Sequence, residues 1–250
     1  MEVIAFGCLK GGVGKSSAAG AMAAGLSLKG YRTLLIDTDQ QCNTSYSMGA
    51  KSSGATVLGV LVGEVNAEDA IQHTENGDII AASKYLAGAE AVVTGTGKEY
   101  RLREALRRLQ GLYDYVLLDT SPTLGITVVN ALTAADKLII VTTPDAFSLQ
   151  GIGELYEAVI PVKKYTNHNL KISGIVLNRF SSRSCLSKEV AELAEGVAAK
   201  MGTKIFKSTI RESITVREAQ AARKNLFRYA PKSKVAADYL ALVNEFLEEE

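Results

Sequence analysis

Short apolar runs alternate with longer amphipathic stretches along most of the chain, and this pattern predicts an α/β fold. Five of these runs are rich in β-branched residues or leucine: VIAFGC at 3–8, TLLID at 33–37, YVLLD at 115–119, KLIIVTT at 137–143 and KISGIVLN at 171–178. Each is too short for a helix and is separated from the next by amphipathic sequence. We therefore predict a mostly parallel, twisted sheet that is flanked by helices on both faces.

The stretches between these runs have the spacing of helices. Predicted helices lie at SSAAGAMAAGLSLKG (16–30), LREALRRLQG (102–111), FSLQGIGELYEAVIPVKKY (147–165), KEVAELAEGVAAKMG (188–202) and the segment after Pro231. Residues 44–100 contain apolar patches such as TVLGVLVG but no clean period. The pattern therefore assigns no elements to that part of the chain.

Length and composition are those of one intracellular domain. The 250 residues are 47% hydrophobic and include only 4 prolines, so they can form a substantial core with no flexible linker, and we expect a single domain over 1–250. No apolar run reaches the roughly 20 residues that cross a membrane, and the first residues do not resemble a secretion signal. Three well-separated cysteines, Cys8, Cys42 and Cys185, fit reduced thiols. We expect a soluble, cytoplasmic protein.

The net charge of +1 hides an uneven distribution of charge along the chain. Residues 1–170 carry 14 basic and 17 acidic residues, whereas residues 171–234 carry 14 basic and 5 acidic ones. The last sixteen residues carry 5 acids and no base. The C-terminal third is thus a basic region with an acidic end, although any solvated helical surface can also be rich in charge.

The most specific motif is the glycine loop KGGVGKS at 10–16, between the first predicted strand and the first predicted helix. Backbone N–H groups of such a loop surround phosphate oxygens, the lysine neutralises the β- and γ-phosphates, and the hydroxyl that follows reaches Mg²⁺. We therefore predict an ATP-binding cradle with Mg²⁺, formed by these residues: Gly11, Gly12, Val13, Gly14, Lys15, Ser16 and Ser17. The standard loop has glycine where Leu9 stands, and here a second lysine, Lys10, begins the loop.

Two carboxylates, Asp37 and Asp39, follow the second predicted strand in LLIDTDQQ. The carboxyl ends of parallel strands are where an open α/β sheet binds its ligand. We predict that Asp37 holds a Mg²⁺-bound water and that Asp39 orients the attacking water or accepts its proton. The alternative is that both acids only cap a helix that begins near Asn43.

Two further strand ends carry polar residues. Asp119 ends the apolar strand of YDYVLLDTSP, which is the Walker B arrangement for a Mg²⁺ ligand. Asn178 ends the fifth predicted strand in VLNRF, where its amide could pair with the edge of an adenine base or could simply belong to a turn.

In this order the segments KGGVGKS, LLIDTDQQ, YDYVLLDTSPTLG, GIVLNRF and REAQAARKNLFRYAPKSKVAADYLALVNEF resemble the ParA/Soj branch of the ParA/MinD superfamily of deviant Walker ATPases. The resemblance covers almost the whole chain and implies a P-loop NTPase fold. It also implies that two subunits enclose two ATP molecules and that Lys10 reaches the partner's phosphates while Lys15 binds those of its own subunit. Asp39 would then control hydrolysis, Asp119 would serve Mg²⁺, and Asn178 would recognise the base.

The resemblance also implies partners. ATP-bound members of the family dimerise, bind DNA without sequence preference, and are released when a ParB-like, centromere-binding protein stimulates ATP hydrolysis. On that basis we expect a nucleoid-associated, slow ATPase for chromosome or plasmid partition. The basic third would contact DNA phosphates through the following candidates: Arg183, Lys207, Arg211, Arg217, Arg223, Lys224 and Arg228.

One departure and three rival functions qualify this interpretation. The segment D-T-D-Q-Q-C has Gln40 where the family usually has proline, although both acids are kept. A MinD-like membrane ATPase would need a basic amphipathic C-terminal helix, whereas this chain ends NEFLEEE. An iron–sulfur ATPase of the nitrogenase type would need two suitably placed cysteines. A small-molecule synthetase or kinase with the same loop is opposed only by the basic region and the family resemblance.

Overall fold

Seven strands form one sheet in the computed structural model, which describes residues 1–248 (for residues 146–148, the backbone only). The strands are β1 (Glu2–Gly7), β2 (Thr33–Asp37), β3 (Ile71–Thr74), β4 (Gly77–Ile80), β5 (Tyr115–Asp119), β6 (Lys137–Thr142) and β7 (Lys171–Leu177). Their order across the sheet is β3-β4-β2-β5-β1-β6-β7. All neighbouring strands are parallel except β3 and β4, which form an antiparallel hairpin at one edge.

The helices lie between the strands and after the last one. They are α1 (Lys15–Leu28), α2 (Asn43–Met48), α3 (Val57–Val62), α4 (Ala89–Val92), α5 (Arg101–Arg107), α6 (Ile126–Ala134), α7 (Ala146–Tyr165), α8 (Cys185–Lys200), α9 (Ile214–Ala221), α10 (Leu226–Tyr229) and α11 (Lys234–Leu247). Three single turns of 3-10 helix add to these at Glu68–Ala70, Lys84–Gly88 and Lys98–Tyr100.

The core has two layers because the parallel strands are apolar on both faces. Every residue of β5 is buried, and side chains alternate between the faces, so Val116 and Leu118 belong to one cluster while Tyr115 and Leu117 belong to the other. Residues of α3, α5, α6 and α7 cover the first cluster, and residues of α1 and α11 cover the second. The predicted α/β architecture, with helices on both faces of a mostly parallel sheet, is confirmed.

The five predicted strands all form within one residue of their predicted ends. The predicted helix at 102–111 is wrong in its second half, because the described helix ends at Arg107 and the chain turns before β5. The helix predicted at 188–202 starts earlier, at Cys185, because the Ser184 side chain accepts a hydrogen bond from the Ser187 N–H and so caps it.

The pattern does not predict the hairpin of β3 and β4 or helices α3, α4, α6, α9 and α10, and it offers α2 only as the alternative helix near Asn43. No helix of the described residues is long and apolar enough to cross a bilayer. The acidic end that we noted in the sequence finishes with Glu249 and Glu250, which lie outside the described residues.

Candidate nucleotide-binding site

The glycine loop joins the end of β1 to the first residue of α1, which is Lys15. Gly12 and Gly14 have φ angles of 78° and 96°, in the left-handed region that glycine adopts without strain. A Cβ atom on Gly14 would also lie 2.0 Å from Nδ2 of Asn178. The loop therefore needs glycine at this position both for its backbone conformation and for the close approach of β7's end.

Lys15 is buried, and its side chain curls back over the loop. Its Nζ donates a hydrogen bond of 3.3 Å to the carbonyl oxygen of Lys10, so the ammonium lies inside the ring of loop backbone. Burial lowers the pKa of Lys15, and the negative charge of Asp119 opposes that effect. A bound polyphosphate would add negative charge directly beside this buried ammonium.

Asp119 ends β5 in register with Asp37, which ends β2. Its Oδ2 accepts a hydrogen bond of 2.6 Å from Oγ1 of Thr44, whereas its buried Oδ1 has no hydrogen-bond partner among the described residues. Burial raises the pKa of Asp119, and the hydroxyl groups of Thr44 and Ser16 oppose that rise. A buried carboxylate oxygen without a partner, close to the Ser16 hydroxyl, fits a Mg²⁺ ion whose other ligands are water and phosphate.

Asp37 is fully buried and connects the strand to α2. Its Oδ2 accepts hydrogen bonds from the N–H of Ser45 at 2.8 Å and from Oγ of Ser45 at 2.7 Å. Burial raises the pKa of Asp37, and the negative charge of Asp119 raises it further. The alternative role is thus also present, since a helix does begin at Asn43 and Asp37 binds its first turn.

Asp39 lies two residues beyond β2 and is 7% exposed. Its N–H donates to Oδ1 of Asp37 at 3.0 Å, and its own Oδ1 accepts from the N–H of Gln41 at 3.0 Å. The two acids are therefore neighbours at the same end of the sheet, with Asp39 nearer to solvent. Its second carboxylate oxygen is the one that could act on a water molecule.

Lys10 lies at the opposite end of the loop from Lys15 and is partly exposed. Its Nζ is 2.5 Å from Oδ1 of Asp145, and Oδ2 of Asp145 accepts a hydrogen bond of 2.7 Å from Oγ1 of Thr143. A segment after β6 therefore holds Lys10 within its own subunit, an ion pair that the sequence interpretation did not foresee.

Asn178 follows β7 and binds the loop directly. Its Nδ2 donates a hydrogen bond of 2.6 Å to the carbonyl oxygen of Val13. A cavity of about 110 Å³ opens beside it and is lined by Gly14, Ser17, Asn178, Arg179, Arg211, Glu212, Ser213, Val216, Arg217, Gln220 and Tyr239. In this structure the Asn178 amide binds the backbone of the glycine loop, and its contact with an adenine base stays a prediction.

The seven basic candidates for DNA contact are all exposed, but they are not equivalent. Arg211 forms a two-pronged ion pair with Asp238, at 2.6 and 2.7 Å. Arg228 donates to the carbonyl oxygen of Glu75, and the guanidinium of Arg223 lies 4.3 Å from the centre of the Tyr46 ring. Arg183, Lys207, Arg217 and Lys224 make no side-chain ion pair with any described residue.

The site also includes residues that the sequence reasoning missed. Thr44 binds Asp119, Ser45 binds Asp37, and Asp145 pairs with Lys10. Only Ser45 lies near its acid in the sequence, eight positions after Asp37, whereas Thr44 binds Asp119 from 75 positions away. Asp145 had no usable signal in the sequence, because its partner is 135 residues away in the chain.

Comparisons with known proteins agree with this geometry. A family model described as an AAA domain matches residues 1–172. The sporulation initiation inhibitor protein Soj of Bacillus subtilis is 34% identical over 249 residues, which cover 98% of this chain and 97% of that protein. The chromosome partitioning protein ParA of Caulobacter vibrioides is 35% identical over 257 residues, with coverage of 100% and 95%.

One similar protein has been solved with a nucleotide analogue and a metal ion bound. Cobyrinic acid a,c-diamide synthase from Mycobacterium smegmatis, with bound ATP analogue and magnesium, superposes with a TM-score of 0.82 at 29% identity. The superposition covers 100% of this chain and 95% of that one. ATP and Mg²⁺ are thus the ligand chemistry found on this fold, and they match the loop and the partnerless oxygen of Asp119.

Proposed function

This chain belongs to the ParA/Soj family of partition ATPases, and from that membership we propose that it is an ATP-dependent DNA partition protein. Its ATP-bound homodimer binds double-stranded DNA without sequence preference and leaves it after hydrolysis. The observation that carries the proposal is the pairing of a complete phosphate cradle with a second lysine, Lys10, which begins the same loop.

Nucleotide binding uses the residues around the loop. The N–H groups of residues 11–16 and the ammonium of Lys15 hold the phosphates, and the N-terminus of α1 adds its dipole. Ser16 and Asp119 would hold Mg²⁺ directly, and Asp37 would act on it through a water molecule. The ion, when bound, neutralises charge between the β- and γ-phosphates.

Hydrolysis uses Asp39. Its carboxylate orients a water for attack on the γ-phosphorus and accepts a proton from it, and the bond to the β-γ bridging oxygen breaks to give ADP and phosphate. The Gln41 hydrogen bond occupies one oxygen of Asp39 and leaves the other for this role. Turnover is slow until a ParB-like, centromere-binding partner stimulates it.

Dimerisation uses Lys10. In the single chain its ammonium is paired with Asp145. In the ATP-bound dimer it exchanges that carboxylate for the phosphates of the partner's nucleotide. Phosphates that carry several charges are a stronger counter-ion than one partly exposed carboxylate, so ATP favours the exchange.

DNA binding uses the basic region at 171–234. Nonspecific binding needs phosphate contacts and no reader of base edges, which fits scattered exposed lysine and arginine residues. Arg183, Lys207, Arg217 and Lys224 are the best candidates, since these exposed residues have no ion pair with the described residues. Such a protein acts on the nucleoid.

The test of this function is ATP-dependent DNA binding measured at several salt concentrations. With a slowly hydrolysed ATP analogue and Mg²⁺, affinity should fall steeply with salt and equally for unrelated duplexes. With ADP, affinity should be about 5- to 150-fold weaker, as expected for an allosteric coupling of about 1 to 3 kcal/mol. Binding that ignores salt, or that prefers one sequence strongly, would contradict the proposal.

Two alternatives are separated by the same experiment. A MinD-like membrane ATPase would bind anionic liposomes with ATP and ignore DNA. A small-molecule synthase is favoured by the name of the Mycobacterium smegmatis neighbour, and such an enzyme would bind neither. Capture by DNA alone supports the partition function.

A further inference from the structure

Residues 220–225, which we call the basic turn, are the last two residues of α9 and its connection to α10, and they contain Arg223 and Lys224. Arg223 has a φ of 51°, in the left-handed region that favours glycine. The N–H of Arg223 donates to the carbonyl oxygen of Gln220, and the N–H of Lys224 donates to that of Ala219, at 3.0 Å each. An arginine keeps such a conformation only where its surroundings hold it.

Asn76, in the turn between β3 and β4, is the first of the groups that hold the basic turn. Its Nδ2 donates a hydrogen bond of 2.9 Å to the carbonyl oxygen of Arg223, and its Oδ1 accepts a hydrogen bond of 2.8 Å from the N–H of Asn225. The same Nδ2 lies 3.3 Å from the carbonyl oxygen of Met48, the last residue of α2. One side chain therefore ties the basic turn to the end of α2.

Tyr46, on α2, is the second group. Its ring is half exposed, and the guanidinium of Arg223 lies 4.3 Å from its centre. The residues just before it, Thr44 and Ser45, bind Asp119 and Asp37. The six-residue helix α2 thus contacts Asp37 and Asp119 near its start and the basic turn nearer its end.

A third contact comes from the phosphate loop itself. Nε2 of Gln220 donates a hydrogen bond of 3.0 Å to Oγ of Ser17. Ser17 follows Ser16 on the first turn of α1. The basic turn is therefore in contact with both sides of the nucleotide site, through α1 and through α2.

We infer that Tyr46 and Asn76 are positioning residues that transmit occupancy of the nucleotide site to Arg223 and Lys224. A cation on the partnerless Oδ1 of Asp119 draws negative charge away from Oδ2, the oxygen that the Thr44 hydroxyl binds, and so loosens the hold of the acids on α2. The resulting shift of α2 moves the Tyr46 ring and the Met48 carbonyl, and with them the two cations of the basic turn. By linkage, a polyanion on the basic turn changes nucleotide affinity by the same factor.

The identification of the polyanion as DNA rests on the proposed function. The coupling from the nucleotide site through Tyr46 and Asn76 to the basic turn, which we call the relay, does not depend on that function. The first test is therefore amide hydrogen exchange of the full chain with and without Mg²⁺ and a slowly hydrolysed ATP analogue. In wild type we expect exchange at residues 220–225 to change when the nucleotide binds. Tyr46→Ala should lose at least half of that change, and Tyr46→Phe, which keeps the ring, should retain it.

Controls separate the relay from general loss of structure. Tyr85 is also exposed, with the ammonium of Lys84 lying 5.5 Å from its ring centre, so Tyr85→Ala removes a similar contact elsewhere and should behave as wild type. Arg223→Lys keeps the positive charge but loses the planar guanidinium that lies against the Tyr46 ring. Its nucleotide-dependent change in exchange at residues 220–225 should be reduced as much as in Tyr46→Ala. Two results would overturn the relay: no nucleotide-dependent change at 220–225 in wild type, or an unaltered change in both Tyr46→Ala and Arg223→Lys.

The second test measures DNA affinity with and without the nucleotide. The ratio of these two affinities is the coupling factor. Tyr46→Ala should reduce that factor about two- to fivefold, the value of one exposed cation–π contact, with nucleotide affinity in the absence of DNA unchanged within about twofold. If wild type shows the exchange change but no DNA binding, the proposed function fails and the relay stands. If wild type binds DNA and Tyr46→Ala keeps the full factor, the relay fails and the function stands.

Discussion

At the scale of single residues, the site contains buried charges that the described residues satisfy only in part. Lys15 is buried with a lowered pKa, and Asp119 is buried with a raised pKa and one oxygen without a partner among the described residues. Both shifts have burial as their main cause. Such groups cost stability in the free chain and gain partners when Mg²⁺ and ATP bind.

Replacement of Asp119 by asparagine should therefore separate stability from function. The amide can still accept the Thr44 hydrogen bond and removes a charge whose pKa burial raises to about 6, so the ligand-free protein should gain up to about 3 kcal/mol in free energy of unfolding at pH 7. Chemical denaturation measures this gain. Mg²⁺ should no longer increase ATP affinity in the variant. A ligand-free protein that is less stable than wild type would contradict the assignment of burial as the main cause.

Asp39 is expected to affect turnover and not binding. Asp39→Asn keeps an acceptor for the Gln41 N–H but cannot take a proton, so phosphate release should fall at least about a hundredfold, the lower range for loss of a general base. Titration with a fluorescent ATP analogue should show affinity close to that of wild type. Normal phosphate release by the variant would remove Asp39 from the mechanism.

The sequence was sufficient to predict the acids and the loop but not the groups that hold them. Asp37 and Asp119 could be placed together because parallel strands end at one edge of a sheet. The Lys10–Asp145 pair and the Gln220–Ser17 bond could not, because each joins distant parts of the chain whose approach only the folded structure defines.

At the scale of elements, β2 and β5 together position the site, and an ion pair fixes the ends where they begin. Arg32 binds Asp114 through its backbone N–H and its guanidinium, with distances of 2.7 to 3.2 Å. This pair holds the pKa of Asp114 down, at about 2 against an ordinary value of 3.8. The lowered pKa means that the ionised carboxylate is the form that the fold favours.

Asp114→Asn should therefore lower stability in a pH-dependent way. A carboxyl whose pKa is lower in the folded state adds stability above its unfolded pKa and loses it as pH falls through the folded value. The difference in free energy of unfolding between wild type and variant should be constant from pH 7 to about 4 and should shrink from about 4 to 2. Urea denaturation at each pH measures it. A difference that grows as pH falls would contradict the assignment.

Most of the elements that the sequence could not predict are short, although α6 has nine residues and α9 has eight. β3 and β4 have four residues each, and α2 and α3 have six each. Segments this short contain about one period of a strand or helix pattern, so periodicity cannot identify them. Their stability comes from tertiary contacts, as in the two bonds from Ser45 to Asp37 that hold the start of α2.

At the scale of the whole molecule, function depends on two surfaces at the nucleotide end of the sheet. One carries Lys10 and Asp145, and we propose that it meets a second copy of the chain. The other carries the basic turn, and we propose that it meets DNA. On this proposal the nucleotide would lie between the two surfaces, so one hydrolysis event could change both contacts.

The central claim is that Lys10 reads the γ-phosphate of a neighbouring subunit, and measurement of molecular mass in solution tests it most directly. With Mg²⁺ and a slowly hydrolysed ATP analogue, wild type should have twice the chain mass of 26.6 kDa, and with ADP it should have the mass of one chain. Lys10→Ala should bind the analogue yet remain a single chain, while Lys51→Ala, at an exposed lysine outside the loop, should dimerise as wild type does. Dimerisation of Lys10→Ala at wild-type concentrations would contradict the account.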